Sequence, residues 1–135
     1  GDGQPEIRVR MHGPSIIGAV ATTGEGLNIA DAYKDARFNR KIDAATGYRT
    51  RSILCVPMKD QFGKVIAAVQ VINKLPQRLI GRPAQIDEYI HAKEGEKLPF
   101  SEADVRLAVV FAGLAGLSIE RHYLQAQGSW NIFGD

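Results

Sequence analysis

At 135 residues the chain has the length of one ordinary domain, enough to bury a core but too short for two. A hydrophobic fraction of 44% beside 24% charged residues excludes a disordered tail or a fibrous repeat. The formal charge of +2 is spread over 17 basic and 15 acidic residues with no basic stripe, which argues against nucleic acid as a partner, and no apolar run approaches the roughly 20 residues of a membrane span.

Cys55 is the single cysteine, so neither an internal disulfide nor a thiolate metal cluster is available, and a reducing, cytoplasmic setting is expected. The opening Gly1-Asp2-Gly3-Gln4 carries no apolar signal region.

In chain order, Glu6 to Met11 alternates, with Ile7, Val9 and Met11 on one side, and predicts a half-buried strand. Ile16 to Thr23 predicts a short helix, started by Ser15 and stopped near Gly24, before a brief extended piece at Leu27 to Ile29. Asn39 to Ala45 predicts a second short helix with Asn39 as its cap, Ile42 facing inward and Gly47 as a left-handed stop. Ser52 to Lys59 and Lys64 to Lys74 are β-branched and apolar, joined by the turn residues Asp60-Gln61-Phe62-Gly63, and are expected to be the central strands.

The segment 75–98 carries Pro76, Pro83, two glycines and many charges, and reads as a surface insertion with one helical turn near Ile86 and Tyr89 to Ile90. Ser101 and Asp104 form a capping box for a long helix, whose stripe Leu107, Val110, Phe111, Leu114 and Leu117 is expected to pack on the sheet. Interior Gly113 and Gly116, with Ala112 and Ala115, point to close approach of a neighbouring element or to a dimer contact. The tail 128–135, with Trp130, Ile132 and Phe133, is expected to dock on the domain or a partner.

Catalysis has little support. His12, His91 and His122 lack metal-ligand spacing, no nucleophile elbow or Walker loop is present, and Cys55 sits inside an apolar strand as a small hydrophobe.

Two stretches carry a resemblance. Ile16-Ile17-Gly18-Ala19-Val20-Ala21-Thr22-Thr23-Gly24-Glu25 with Leu27 to Tyr33, then Asp35 to Asn39, Ile42-Asp43, Thr46 to Thr50 and Ser52 to Pro57, resemble a GAF domain of the cyclic-nucleotide-binding branch found in phosphodiesterases and some adenylyl cyclases. That branch has Asn or Tyr, then Val-Asp, then two threonines four apart, matched by Asn39, Ile42-Asp43, Thr46 and Thr50. Its Asn-Lys, Phe, Asp-Glu signature is matched by Asn73-Lys74, Phe100 and Asp104, with Val105 at the final position.

The resemblance implies an α+β fold, an antiparallel sheet with the long C-terminal helix on one face and short helices roofing a ligand pocket on the other. It implies a GAF domain over 1–127 without its first helix and strands, an insertion at 75–98, and a tail or linker at 128–135. The implied ligand is cyclic AMP or cyclic GMP, contacted by Ile16, Ile17, Asn39, Asp43, Thr46, Thr50 and Gln70, with Lys74 and Asp104 as a structural ion pair and no cofactor or metal. In chemical terms, the N-termini of the two short helices would hold the phosphate and the hydroxyls of Thr46 and Thr50 the base or ribose. Gln70 stands where the pattern has Glu or Asp, and Ile17 replaces its Ala, narrowing the pocket. The implied role is a non-catalytic regulatory module of a 3′,5′-cyclic nucleotide phosphodiesterase, a homodimer through the parent protein; the alternative is a GAF domain kept for dimerisation without nucleotide. Methionine-sulfoxide reduction, known in GAF-type proteins, needs an attacking and a resolving thiol that one cysteine cannot supply.

Overall fold

The computed structural model describes residues 15–126, with side chains described as far as Ile119. The strand expected over Glu6–Met11 and the tail 128–135 lie outside the described residues. The described elements run α1 (Ile16–Thr23), β1 (Leu27–Ile29), a 3-10 turn (Ala32–Lys34), α2 (Lys41–Thr46), β2 (Ile53–Lys59), β3 (Val65–Ile72), a second 3-10 turn (Gln77–Leu79), α3 (Pro83–His91) and α4 (Glu102–Ala126).

Three antiparallel strands in the order β1-β2-β3 make the described sheet, so β2 is covered on both sides by partners. Its register pairs Leu54 with Asn28 on one side and with Val71 on the other. The β2-β3 turn closes as the residue types predict. Asp60 exchanges backbone bonds with Lys64 and Gly63, and its carboxylate accepts from the N–H groups of Phe62 and Lys64, both at 2.9 Å.

Alternation along β2 divides the core in two. Ile53 and Cys55 point to one face, where Ile16 and Val20 of α1 pack with Ile29 and Ala32. Leu54 and Val56 point to the other, where Ala112 of α4 is buried against them beside Val105 and Ala108. This is the α+β arrangement expected from the resemblance, with α1 and α4 on opposite faces of the sheet.

α1 starts and stops as its sequence predicts. Ser15 Oγ accepts from the N–H of Gly18 at 2.9 Å, and Gly24 ends the helix at φ 71°, a conformation that favours glycine.

α4 departs from expectation in its rotation. Its capping box forms, with Ser101 N–H donating to the Asp104 carboxylate and Asp104 N–H to Ser101 Oγ, and Lys74 Nζ donates to the same carboxylate. Yet Leu107 is 71% exposed, Leu114 66%, and Val110, Phe111 and Leu117 are also exposed. The sheet instead receives the small-residue face: Ala108, Ala112 and Gly116, four residues apart. A methyl group on Gly116 would sit 2.7 Å from the carbonyl oxygen of Lys59, so the helix backbone lies directly on the end of β2. Small side chains bring the helix close enough for dispersion contact along its length, which large ones on that face would prevent.

The segment 75–98 is also more ordered than a surface insertion with one helical turn. α3 has nine residues with Pro83 in its first turn, and Leu79 and Tyr89 are buried.

The two helical glycines are expected to respond oppositely to alanine. Gly116→Ala forces the methyl against a backbone oxygen and should destabilise by about 1–3 kcal/mol. Gly113 has open space around it, so Gly113→Ala should stabilise by up to about 1 kcal/mol through helix propensity. Chemical denaturation of the two variants checks the difference in sign.

Candidate functional site

The roof of the α1 face is held by one carboxylate. Asp43, on α2, is only 6% exposed, and its two oxygens accept from three donors: Tyr33 Oη at 2.8 Å, Thr50 N–H at 2.7 Å and Thr50 Oγ1 at 2.7 Å. The hydroxyl of Thr50, buried with it, is therefore directed to Asp43. Burying a carboxylate without such donors would cost several kcal/mol, so α2 is tied to the 3-10 turn on one side and to the entry of β2 on the other.

The rest of the motif shapes α2 locally. Asn39 Oδ1 accepts from Lys41 N–H at 3.0 Å, but the residue at the helix cap is Arg40, already in right-handed helical conformation, so the helix begins later than Asn39. Thr46 Oγ1 donates to Ile42 C=O at 2.9 Å and accepts from Tyr48 N–H at 3.2 Å, while Gly47 at φ 74° closes the helix. Ile42, expected inside, is 64% exposed: on a six-residue helix the single inward position is taken by Asp43.

On the same side of the sheet, Ile16 is buried and Ile17 half-buried in α1. Gln70 pairs with Cys55 across the ladder, so its side chain shares the α1 face, and it is exposed on the edge strand of the described sheet. The structure thus brings Ile16, Ile17, Asp43, Thr50 and Gln70 to one face, with Asn39 and Thr46 exposed at the two ends of α2. Of these, Asp43 and Thr50 are engaged with each other, while Asn39, Thr46 and Gln70 reach solvent.

Sequence reading missed the aromatic and cationic lining. The guanidinium of Arg49 lies 3.5 Å from the centroid of the Tyr33 ring and that of Arg40 at 4.9 Å, while Phe38 packs against it at 5.3 Å. Arg40 Nη2 also donates to Tyr33 C=O at 2.6 Å. Burial, followed by the neighbouring Asp43 carboxylate, raises the Tyr33 phenol above its ordinary value, so it stays a donor. The basic residues were visible in the sequence, but their convergence on one ring depends on folding the chain between residues 33 and 49.

Asn73 does more than its place in the signature shows. At φ 60° it leaves the end of β3 in a left-handed turn, and its buried amide accepts from Arg51 N–H at 2.6 Å and donates to Arg49 C=O at 2.9 Å. It continues the ladder where β3 has already turned away. Cys55 is buried against the α1 core, and desolvation pushes its thiol up to about 11, far from a reactive thiolate.

A cavity of about 430 Å³ lies on the opposite side of the sheet, under α4, lined by Leu54, Val56, Val105, Val109 and Gly113 among others, and includes none of the expected ligand residues.

A protein-family model described as "GAF domain" matches residues 2–119. The chain belongs to the GAF domain family. Curated relatives of this GAF domain include the dual 3′,5′-cyclic-AMP and -GMP phosphodiesterase 11 of Drosophila melanogaster, 56% identical over 72 residues that make up 53% of the chain. A probable 3′,5′-cyclic phosphodiesterase, pde-5, of Caenorhabditis elegans is 53% identical over 73 residues, 54% of the chain. The matched segments span only 5% and 10% of those relatives' own lengths. Among the described residues no helix is long and apolar enough to cross a membrane.

The anchor geometry gives two expectations for the GAF fold. Asp43→Ala should lower stability by about 2–4 kcal/mol, because it strands the two buried donors of Thr50 and the half-buried Tyr33 hydroxyl, and Thr50→Val by about 1–3 kcal/mol; the exposed Thr46→Val should cost less than about 1 kcal/mol. Urea unfolding orders the three.

The second concerns pH. Lys74, then the Ser101 N–H, hold the Asp104 carboxyl below its ordinary value. A depressed carboxyl contributes stability that is present above its unfolded value near 4 and is lost as pH falls through the folded one. Lys74→Met should therefore be destabilising at pH 7, and the gap between the two proteins should narrow as pH falls below the unfolded carboxyl value and through the depressed folded one, read by denaturant melts along a pH series.

Proposed function

We propose that this GAF domain is a regulatory module that binds a cyclic nucleotide, cyclic AMP or cyclic GMP, and controls an attached 3′,5′-cyclic nucleotide phosphodiesterase catalytic domain in the cytoplasm. The observation that carries the reading is the roof built on Asp43: α2 is anchored by buried bonds, while the side chains of Asn39 and Thr46 at its two ends and of Gln70 on the α1 face are exposed. Two named cyclic phosphodiesterases share more than half of the aligned residues with about half of the chain, which points the same way.

In this reading the residues divide their labour. Asp43 and Thr50 hold α2 and do not contact ligand directly. Ile16 and Ile17 supply apolar wall, Asn39 and Thr46 offer polar groups at the ends of α2, and Gln70 reaches from the edge strand with an amide that both donates and accepts. Arg40 and Arg49, stacked on Tyr33, make the neighbourhood of α2 positive, which favours a singly charged cyclic phosphate. Control of an attached domain then requires two states that bind the nucleotide with different affinity.

A second reading, self-association through α4, is favoured by one specific observation. Leu107, Val110, Leu114 and Leu117 are spaced by three, four and three residues and are all exposed, the pattern of a helix seam. The two readings are compatible in one protein, but only the first requires nucleotide.

Titration calorimetry with cyclic AMP and with cyclic GMP is expected to give saturable heat, with a stabilisation of about 2.7 kcal/mol at a hundredfold excess over Kd. Gln70→Ala should weaken binding while leaving the melting temperature of the unliganded protein unchanged. No heat and no melting shift from either nucleotide at millimolar concentration, in folded protein, sinks the sensor reading. Sedimentation that changes with Leu114→Glu would then leave self-association as the role.

A further inference from the structure

The segment 75–98 separates Lys74 from Phe100, whose elements are already joined by the Lys74–Asp104 contact, so the fold has no topological need of its length. It is nonetheless firmly docked. Arg49 N–H donates to Ile90 C=O at 2.9 Å. Arg51, only 3% exposed, donates through Nη2 to Ala92 C=O at 2.7 Å and stacks its guanidinium 4.4 Å from the centre of the Tyr89 ring. Tyr89 in turn donates its hydroxyl to Glu96 C=O at 3.0 Å, and Lys97 Nζ reaches Asp31 at 2.8 Å.

The landing points coincide with the anchor of α2. Arg49 and Arg51 flank Thr50, whose N–H and hydroxyl bind Asp43. Asp31 accepts from Tyr33 N–H and so starts the turn that aims the Tyr33 hydroxyl at Asp43. The segment therefore grips both sides of the bonds that hold the roof in place. Arg51 is held by backbone carbonyls and a ring, with no carboxylate within ion-pair distance among the described residues, so its guanidinium depends on segment 75–98 for much of its solvation.

We propose that segment 75–98 is a regulatory brace: its docking on Arg49, Arg51 and Asp31 sets how firmly α2 is held, so a partner that lifts or clamps it changes the order of the roof. The Arg51 tie is buried and stiff, whereas the Lys97–Asp31 pair is partly exposed and screened by salt, which makes the C-terminal end of the segment the end that releases first. Coupling is reciprocal, so anything that orders α2 also tightens the brace. The ligand half of this statement rests on the cyclic-nucleotide reading above; the mechanical half does not.

Amide hydrogen exchange on the unliganded protein tests the mechanical half. Arg51→Lys and Lys97→Ala are expected to speed exchange at Ala44, Gly47 and Thr50 by about tenfold and about threefold, while amides of the β2-β3 ladder around Val56 and Val69 keep their rates. Acceleration confined to residues 83–98 overturns the proposal, and so does uniform acceleration that includes the ladder, which would mark a merely structural role. If Arg51→Lys does not fold, Lys97→Ala decides alone. Where cyclic AMP or cyclic GMP binds, reciprocity requires slower exchange at Arg49 and Ala92; bound nucleotide without that slowing overturns the coupling. Failure to bind either nucleotide counts against the sensor reading only, since the exchange rates of the unliganded variants are measured without it.

Discussion

A carboxylate excluded from water must be given its hydrogen bonds by the protein, and at Asp43 this requirement ties together the turn at Tyr33, α2 and the entry of β2. Its three donors come from Tyr33 and Thr50, ten and seven residues away along the chain. To meet it, the chain must turn at Ala32–Lys34, form α2, and return into β2 with Thr50 facing inward. Six-residue helices have almost no stability of their own, so α2 exists because of this anchor rather than through helix propensity. Asp43 and Thr50, which the resemblance names among the ligand contacts, are bonded to each other and hold α2 in place.

The second constraint is the close contact of α4 with the sheet. Gly116 lies against the Lys59 backbone and Ala112 against Leu54 and Val56, which leaves the larger apolar residues of the same helix pointing outward. The result is five large apolar side chains exposed on one helix face, Leu107, Val110, Phe111, Leu114 and Leu117. The Lys74 contact with Asp104 fixes the start of this helix relative to β3, so the register of the buried small residues is set at its first turn.

Segment 75–98 joins these two halves. It leaves the sheet after Asn73, covers Arg51 with Tyr89 and Ala92, and reaches Asp31 before α4 begins. Because its Ile90 and Ala92 carbonyls accept from the Arg49 N–H and from the guanidinium of buried Arg51, it is built into the domain rather than laid on it as a loop.

Much of the local structure was legible in the sequence because it is written in short-range chemistry. Ser15 before an apolar run, Gly24 and Gly47 after helices, Asp60 to Gly63 between β-branched runs, and Ser101 with Asp104 all make bonds within a few residues. The order of elements and the family pattern follow from such signals. The outward face of α4, the exposure of Ile42, the extent of α3 and the convergence of Arg40 and Arg49 on Tyr33 were not legible. A helix with one large and one small apolar face has the same periodicity whichever face is buried, and only the distance at which its backbone meets the sheet decides between them. Likewise the sequence determined that Asp43 and Thr50 belong to one motif, but only the tertiary structure decided that they satisfy each other, because burial is what turns a carboxylate from a solvated charge into an acceptor that must find its donors within the protein.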